Sequence, residues 1–405
     1  MSGLRIVVVG AGVAGAIVAK GLAALPRVEL LCFEQVDPDD ALRHATALNV
    51  GPNALTVLRA HDPALHRAVT AASYPWRRWQ ASAADGELLL DLELADFAPD
   101  PGIRIRWADL YRIVRAPVAP LVRYRTRVDG LQQQPDGRLA LACSDPTGSS
   151  VVEDVDLVIA ADGRFSRLRE LSCGPAPTRF FPVGMFRVMR TDPGQTAIDD
   201  YAQWFAAGPV RLLAYRVPQH DVYIGGAVPL GPTGTLDGLR AEPERVIEAL
   251  LPAGAPAPCA AYRYLVDVVR AGLPNIHWAR QQEIGVQFRA AGGRVLLLGD
   301  AAHAMTTTIG QGATQAIEDA AVTVGLARAA AAARRLDDVA ALTGAVEAVR
   351  APRVEAVMAV SRDATDTLLP GADPIAGTRA KAGPAVRARL AAVYGVPPEL
   401  VRLVA

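Results

Sequence analysis

The chain divides by the period of its apolar positions. Leu4 to Val9 is an almost continuous apolar run and predicts a buried strand. A turn from Gly10 to Gly15 follows, then a helix over Val13 to Leu25 that Pro26 stops. Val28 to Phe33 is the next strand and ends at Glu34, which completes a strand–helix–strand unit of parallel type. Val155 to Ala160 reads as another buried strand, closed by Ala161-Asp162-Gly163. Val295 to Leu298 is the last, ending at Gly299-Asp300, so a carboxylate stands at a strand's C-terminal end, where open α/β sheets bind ligands. Gly310-Gln311-Gly312 then opens an Ala-rich helix, Ala313 to Arg335, and a second runs from Val339 to Thr365 with Pro352 inside it.

Between these lies material of a different period. Pro52 starts a short helix to about Ala60, and Tyr74 to Leu94 alternates and turns at Asp85-Gly86 as a hairpin. Ile103 to Trp107 is strand-like and precedes a helix over Ala108 to Val114. Short strands surround Asp129-Gly130 and Asp136-Gly137, and His220-Asp221 reads as a hairpin turn. From about Pro175 to Pro274 the chain alternates over Phe180 to Arg190, Val210 to Val217 and Val222 to Val228. Five of the nine tyrosines fall there, Tyr201, Tyr215, Tyr223, Tyr262 and Tyr264, which suits strands. This predicts an inserted antiparallel sheet with one face shielded from solvent. Gly225 to Gly238 reads as a loop, and a Pro/Gly-rich loop over Pro370 to Pro384 leads to a last helical segment.

Composition narrows the picture. The 405 residues are 51% hydrophobic and 21% charged, enough for two domains or one large α/β domain with an insertion. Lys+Arg and Asp+Glu are both 42, which argues against a nucleic-acid partner. Cys32, Cys143, Cys173 and Cys259 lack metal or redox spacing, so no metal is expected. No run reaches the length of a membrane span, and Ile6 to Leu25 is broken by glycines unlike a signal peptide. A soluble cytoplasmic protein, monomer or homodimer, is the expectation.

The first turn carries the clearest chemistry. Gly10-Ala11-Gly12-Val13-Ala14-Gly15 is a complete GxGxxG between a strand and a helix, with Glu34 about 20 residues on. Gly10 makes the turn, Gly12 lets a pyrophosphate approach the backbone, and Gly15 packs helix on strand. Glu34 would accept ribose hydroxyls and repel a ribose phosphate, which favours FAD or NAD over NADP in that site.

Three motifs occur in order: this turn with Glu34, Ala161-Asp162-Gly163-Arg164-Phe165-Ser166 with Arg169, and Gly299-Asp300-Ala301-Ala302-His303 followed by Gly310-Gln311-Gly312. Together they resemble the single-component flavoprotein monooxygenases, the family of para-hydroxybenzoate hydroxylase, over about residues 4 to 360. The resemblance implies an α/β fold with a discontinuous Rossmann-like FAD-binding domain (1–72, 101–175 and 275–370), an inserted antiparallel-sheet substrate domain (73–100 and 176–274), and a C-terminal helical tail (371–405). It implies FAD as cofactor, held by Gly10, Gly12, Val13, Ala14, Gly15, Glu34, Arg43, Asp162, Gly299, Asp300, Gly310, Gln311 and Gly312. It also implies NAD(P)H and dioxygen as co-substrates, and hydroxylation of a small electron-rich aromatic or hydroxylated heteroaromatic ring through a flavin hydroperoxide. No protein nucleophile is then required.

Three departures stand against the family pattern. Thr307 occupies the usual proline position, between Thr306 and Thr308. Trp107 occupies the position of an arginine that Arg106, or Arg104, replaces only with a shifted register. No thioredoxin-like C-terminal domain follows, as in the short subgroup. For the substrate, Arg187 and Tyr215 lie near positions of family substrate contacts and are equally readable as packing. His44, beside Arg43 in a cofactor-side loop, is a candidate base and reads more readily as structural or solvent-facing. His303 reads as a hydrogen-bonded loop residue rather than an acid or base. A non-oxygenating flavin oxidase, reductase or cyclase on the same fold is the rival, and Thr307 gives it weight.

Overall fold

The structure, a computed structural model, describes residues 3–40, 46–195, 197–231 and 235–405. Its first layer is a six-stranded sheet. The central strand β1 (Leu4–Val9) pairs in parallel with β2 (Val28–Phe33) on one side and β12 (Leu157–Ala160) on the other. Beyond β12 lie β19 (Val295–Leu297), parallel, and β18 (Arg289–Ala290), antiparallel, while β8 (Val122–Arg123) closes the other edge. The core strands carry buried apolar residues on both faces, which explains their continuous runs. Helix α1 (Val13–Ala23) is buried nearly all round, packed on the sheet and on α10 (Gly312–Ala332). Gly21 allows that approach, since a Cβ there would meet Val324 at 2.4 Å.

The second layer is a seven-stranded sheet in the order β17-β13-β16-β15-β14-β5-β6. Its members are β5 (Arg78–Ala83) and β6 (Leu88–Glu93), then β13 (Thr178–Thr191), β14 (Tyr201–Phe205), β15 (Arg211–Val217) and β16 (Asp221–Pro229), and finally β17 (His277–Ile284). All pairings are antiparallel except β14 with β5. The sheet therefore takes chain up to Ile284, past residue 274. The β15–β16 hairpin turns at Gln219 and His220, both at positive φ, one residue earlier than the His220-Asp221 turn read from the sequence, because Asp221 already begins β16.

Both faces of this sheet are covered, so the expectation of a single shielded face is corrected. Tyr201, Phe205, Leu213, Tyr215 and Tyr223 join the core shared with the first layer, while Trp204, Leu212, Ala214 and Ile224 pack under α8 (Ala260–Gly272). Helix α8 also corrects the reading of Tyr262 and Tyr264 as strand residues. Tyr262, Leu265, Val266 and Val269 are its buried stripe, a helical period set among polar residues. Two short helices, α6 (Asp237–Ala241) and α7 (Arg245–Leu250), precede it. Gly225 and Gly226 lie within β16, not in a loop; a Cβ on Gly226 would overlap the Phe186 ring at 1.8 Å.

Two small sheets complete the β structure. One joins β3 (Ala47–Val50), β7 (Gly102–Arg106) and β4 (Tyr74–Trp76), so Tyr74 to Trp76 leaves the predicted hairpin for a different sheet. The other joins β9 (Arg127–Gln133), β10 (Leu139–Asp145) and β11 (Gly148–Val155); Asp129-Gly130 lies inside β9 and does not turn. Helices α2 (Pro52–His61), α3 (Pro63–Ala71), α4 (Trp107–Arg115) and α5 (Arg167–Cys173) flank the first layer. After the short α9 (Asp300–His303) and α10 comes α11 (Val339–Asp363), then α12 (Pro374–Ala380), α13 (Pro384–Tyr394) and α14 (Pro398–Val404). Helix α12 occupies the segment read as a loop; Asp373 caps it and Pro374 starts it. Helix α14 is packed in, with Leu400 and Val404 against Val57 and Val322. No helix among the described residues is long and apolar enough to cross a membrane.

Candidate functional site

The three motifs meet at the C-terminal ends of β1, β12 and β19. Gly10 has φ +94°, and a Cβ there would stand 2.3 Å from the Ala161 carbonyl oxygen, so the first turn lies directly against the second motif. Gly15 is tighter, at 1.9 Å from the Gly10 oxygen, which fixes α1 onto β1. The first and third motifs meet at Ala14 and Gly299, and the second and third at Arg164, whose Nε lies 3.8 Å from Asp300. Asp300 also reaches the glycines that open α10, since a Cβ on Gly312 would lie 3.7 Å from its Oδ1.

A cleft of about 650 Å³ runs along the first two motifs, lined by Gly10, Gly12, Glu34, Asp162 and Gly163 among others. Glu34 is 8% exposed. Its carboxylate accepts N–H bonds from Ala11 at 2.9 Å and Val36 at 3.2 Å, and pairs with Arg115 at 3.3 Å. A carboxylate has about four acceptor positions, so capacity remains toward the cleft. Asp162 is mostly engaged: it accepts from the Ser166 hydroxyl at 2.6 Å and the Leu168 N–H at 3.1 Å, which starts α5. Burial pushes its carboxyl up, against those two bonds. Arg169 donates to the carbonyls of Ala301, Ala302 and Gly285, tying α5 to the end of α9.

Arg106 is not brought to this cleft. Its guanidinium pairs with Asp221 at 3.4 Å and donates to Gln219, at the β15–β16 turn, because the strand direction of β7 sends residue 106 toward the large sheet. Arg104 is likewise committed, to the Pro75 carbonyl and Asp200. The cleft arginine that reaches the first turn is Arg115, on the last turn of α4. Its Nε donates to the Ala11 carbonyl at 2.7 Å, and its Nη1 is buried with no partner. Trp107, Tyr111 and Arg115 all line the cleft, and their spacing of four residues was the available signal. Arg43 and His44 lie outside the described residues.

The helix that starts at Gly312 rests on a buried ionic base. Arg350 donates to Asp319 at 2.7 Å, Glu318 at 2.6 Å and Gln315 at 2.6 Å. Arg353 also holds Glu318, as does Asn53, and Gln315 in turn holds Gln311 at 2.9 Å. Asp319 accepts from the Gly299 N–H at 2.9 Å and bonds His303 Nε2 at 2.7 Å. Burial alone would raise the Asp319 carboxyl, but His303 and Arg350 overcome this and hold it at about 2. His303 is thus an interior hydrogen-bonded residue.

The loop between α9 and α10 is held by side chains where the family pattern has a proline. The Thr307 N–H donates to Gln281 Oε1 at 3.1 Å, a bond no proline can make. Thr308 shares its hydroxyl with Thr365 at 2.7 Å and accepts from Gln281, and Thr306 meets Ser361 at 2.7 Å. Gln281 is on β17, so the large sheet grips this loop directly. A cavity of about 270 Å³ lies beside it, between Thr308-Ile309, the sheet face of Trp79, Gln203 and Arg211, and helices α11 to α13.

Of the substrate candidates, Tyr215 is stacked between Tyr201 and Tyr223, with ring centroids at 5.7 and 4.8 Å. Burial, with Tyr223 and Tyr201 beside it, pushes its phenol well above the ordinary range. Arg187 is half-buried on β13, near the Tyr223 hydroxyl and 3.5 Å from His277. Neither lines the cavity beside the loop.

The residues present fit an FAD: a glycine turn at a helix N-terminus, a buried ribose-side acid, the orphaned Arg115 Nη1, and an exposed edge of Asp300 beside a second helix N-terminus. A model of the FAD binding domain matches residues 261–361. The 3-amino-4-hydroxybenzoate 2-monooxygenase PtmB3 of Streptomyces platensis is 31% identical over 371 residues, covering 89% of this chain and 87% of that protein. The 6-hydroxynicotinate 3-monooxygenase of Pseudomonas fluorescens is 28% identical, covering 89% and 91%. The crystal structure of Klebsiella pneumoniae HpxO complexed with FAD and uric acid shares the fold, with TM-score 0.76, 23% identity and 96% coverage of each chain. With its three motifs in contact at the ends of the parallel strands and relatives matched along most of its length, the chain belongs to the FAD-dependent aromatic monooxygenase family.

Proposed function

We propose that this protein hydroxylates a small, electron-rich aromatic or hydroxylated heteroaromatic ring, with NAD(P)H as electron donor and dioxygen as the oxygen source. One observation carries the reading. The loop that walls the cavity, Thr308-Ile309, runs straight into Gly310-Gln311-Gly312, so a ring in the cavity lies next to the helix start that faces the cofactor. The two monooxygenases named above act on substituted single rings, which supports the same size class.

Each group has a role by its chemistry. Gly10, Gly12, Val13, Ala14 and Gly15 present backbone N–H groups at the α1 N-terminus to a pyrophosphate. Glu34 accepts from a ribose and Asp300 from the ribityl chain, with Gly299 leaving room at φ +58°. Arg115 takes the place proposed for Arg106, and Arg43 remains a proposed contact. The N-terminus of α10, with Gly310, Gln311 and Gly312, places donors and partial positive charge where negative charge develops at the cofactor's ring. Bound FAD supplies the electron storage and oxygen activation that side chains lack. The stacked tyrosines and the Thr306–Thr308 clamp exclude water from that region. Arg187 and Tyr215 shape the sheet face above it.

The test is FAD content with NAD(P)H oxidation across a panel of phenols and hydroxypyridines. The expected result is one FAD per chain and oxidation stimulated by a ring substrate. A protein purified without FAD, and unable to take it up, would overturn the reading.

A further inference from the structure

Thr308 lines the cavity beside the start of α10 and is 4% exposed. A hydroxyl carries one proton and two acceptor positions, so its partners fix what it can still offer. Thr365 Oγ1 lies 2.7 Å from Thr308 Oγ1 and donates to the Ser361 carbonyl at 2.9 Å. A carbonyl cannot donate, so the Thr365 proton is spent there, and Thr308 is the donor to Thr365. The Gln281 amide is oriented by the same logic. Its Oε1 accepts the Thr307 N–H at 3.1 Å, which leaves Nε2 to donate to Thr308 at 3.3 Å. Thr306 repeats the pattern: Ser361 Oγ donates to the Thr306 carbonyl at 2.8 Å, so the Thr306 hydroxyl, 2.7 Å away, donates to Ser361. The hydroxyl protons of Thr306 and Thr308 are therefore directed to Ser361 and Thr365. Thr308 keeps one acceptor position and no proton to give. Other acceptors on the cavity wall are answered: Asp363 holds Arg389, Asp366 holds Lys381, and the Gln203 side-chain carbonyl holds Arg211. An acceptor shut from water beside Trp79, Leu90 and Ile309 is costly unless a donor meets it.

We propose that Thr308 determines specificity as an acceptor: the cavity takes a ring bearing a hydroxyl or amino group that donates its O–H or N–H to Thr308 Oγ1. The inference rests on the proposed ring hydroxylation, whose substrate class it names. A ring with a halogen or ether oxygen in that place has no proton to give and leaves Thr308 unanswered. Thr308 stands two residues before Gly310, so the donor group is held at the end of the cavity nearest the start of α10. The device depends on Thr307. A proline there has no N–H to orient the Gln281 amide, and the direction of the bond to Thr308 is then no longer fixed.

The experiment titrates the full-length protein, as purified, with phenol, aniline and fluorobenzene by calorimetry. Fluorobenzene is close to phenol in size, cannot donate, and costs less to take from water, so an apolar cavity without a free acceptor would favour it. The wild type is expected to bind phenol and aniline about 10-fold or more tightly than fluorobenzene. Thr308→Val, with the fold intact by circular dichroism, should reverse the order, and Thr308→Ser should keep it. Fluorobenzene binding as tightly as phenol in the wild type, a phenol preference that survives in Thr308→Val, or no binding of any of the three rings overturns the inference. A protein with the expected preference that cannot take up FAD would fail the proposed function and leave the acceptor standing. A protein that hydroxylates phenols with FAD but keeps its ring preference in Thr308→Val would do the reverse.

Discussion

Two buried arginines, Arg350 beneath α10 and Arg211 on the large sheet, are treated in opposite ways. Arg350, beneath α10, meets Glu318 and Asp319 at 2.6 and 2.7 Å, with neutral amides completing the set. Arg211, on the sheet face, meets one amide oxygen and otherwise borders a cavity. The first arrangement is finished within the chain, and its product is a fixed helix N-terminus. The second leaves the guanidinium with one amide oxygen and a cavity edge. Both residues are buried, so the difference lies in how far the chain itself supplies the counter-charge.

Breaking the finished side should have the largest effect. Arg350→Met leaves Glu318 and Asp319 buried with their main partner gone, and is expected to cost about 3–5 kcal/mol in chemical denaturation. Arg211→Met should cost little stability or none, so similar losses in both variants would erase the contrast. Next comes the ribose-side acid. Glu34→Gln weakens a charged acceptor, and FAD affinity read by fluorescence should fall by about 1.5–3 kcal/mol; an unchanged Kd removes Glu34 from the site.

Acid titration sharpens the comparison from another side. Asp319 is held at about 2, below its ordinary 3.8. Its folded pKa is the depressed one, so this stabilisation is complete above pH 3.8 and disappears as pH falls through about 2. It is roughly 2 kcal/mol, and Asp319→Asn should flatten stability over that window relative to wild type. The smallest effect is Thr307→Pro, which removes the N–H donated to Gln281. About 0.5–1.5 kcal/mol of stability should go, and a double-mutant cycle with Gln281→Ala should give losses smaller than additive, since both variants remove the Thr307–Gln281 bond while only Gln281→Ala also removes the bond to Thr308; strictly additive losses would remove the bond from the account.

The cofactor side was legible in the sequence because it is built from backbone. Gly10, Gly15 and Asp300 act through turns and strand ends, which short contiguous motifs encode. Arg115 escaped notice because its place in the cleft depends on the face of α4, while Arg106, just before that helix, points to Asp221 instead. The cavity side is assembled from β5, β14, β15 and three C-terminal helices, so Arg211 and Gln203 share no local pattern with Thr308. Tyr262 and Tyr264 misled for a related reason: aromatic content suggested strands, while the spacing of Tyr262, Leu265, Val266 and Val269 was helical. Thr307 could be seen as unusual, but not that Gln281, Ser361 and Thr365 would hold its loop.

The most direct test of the account is the fate of isotopically labelled dioxygen in a single reaction. FAD-loaded protein, NADH or NADPH and a hydroxybenzoate that stimulates oxidation are combined, and the product is weighed by mass spectrometry. The account predicts a ring product heavier by one labelled oxygen atom. A product without label, or nicotinamide oxidation that yields only hydrogen peroxide with every stimulating ring, would contradict it.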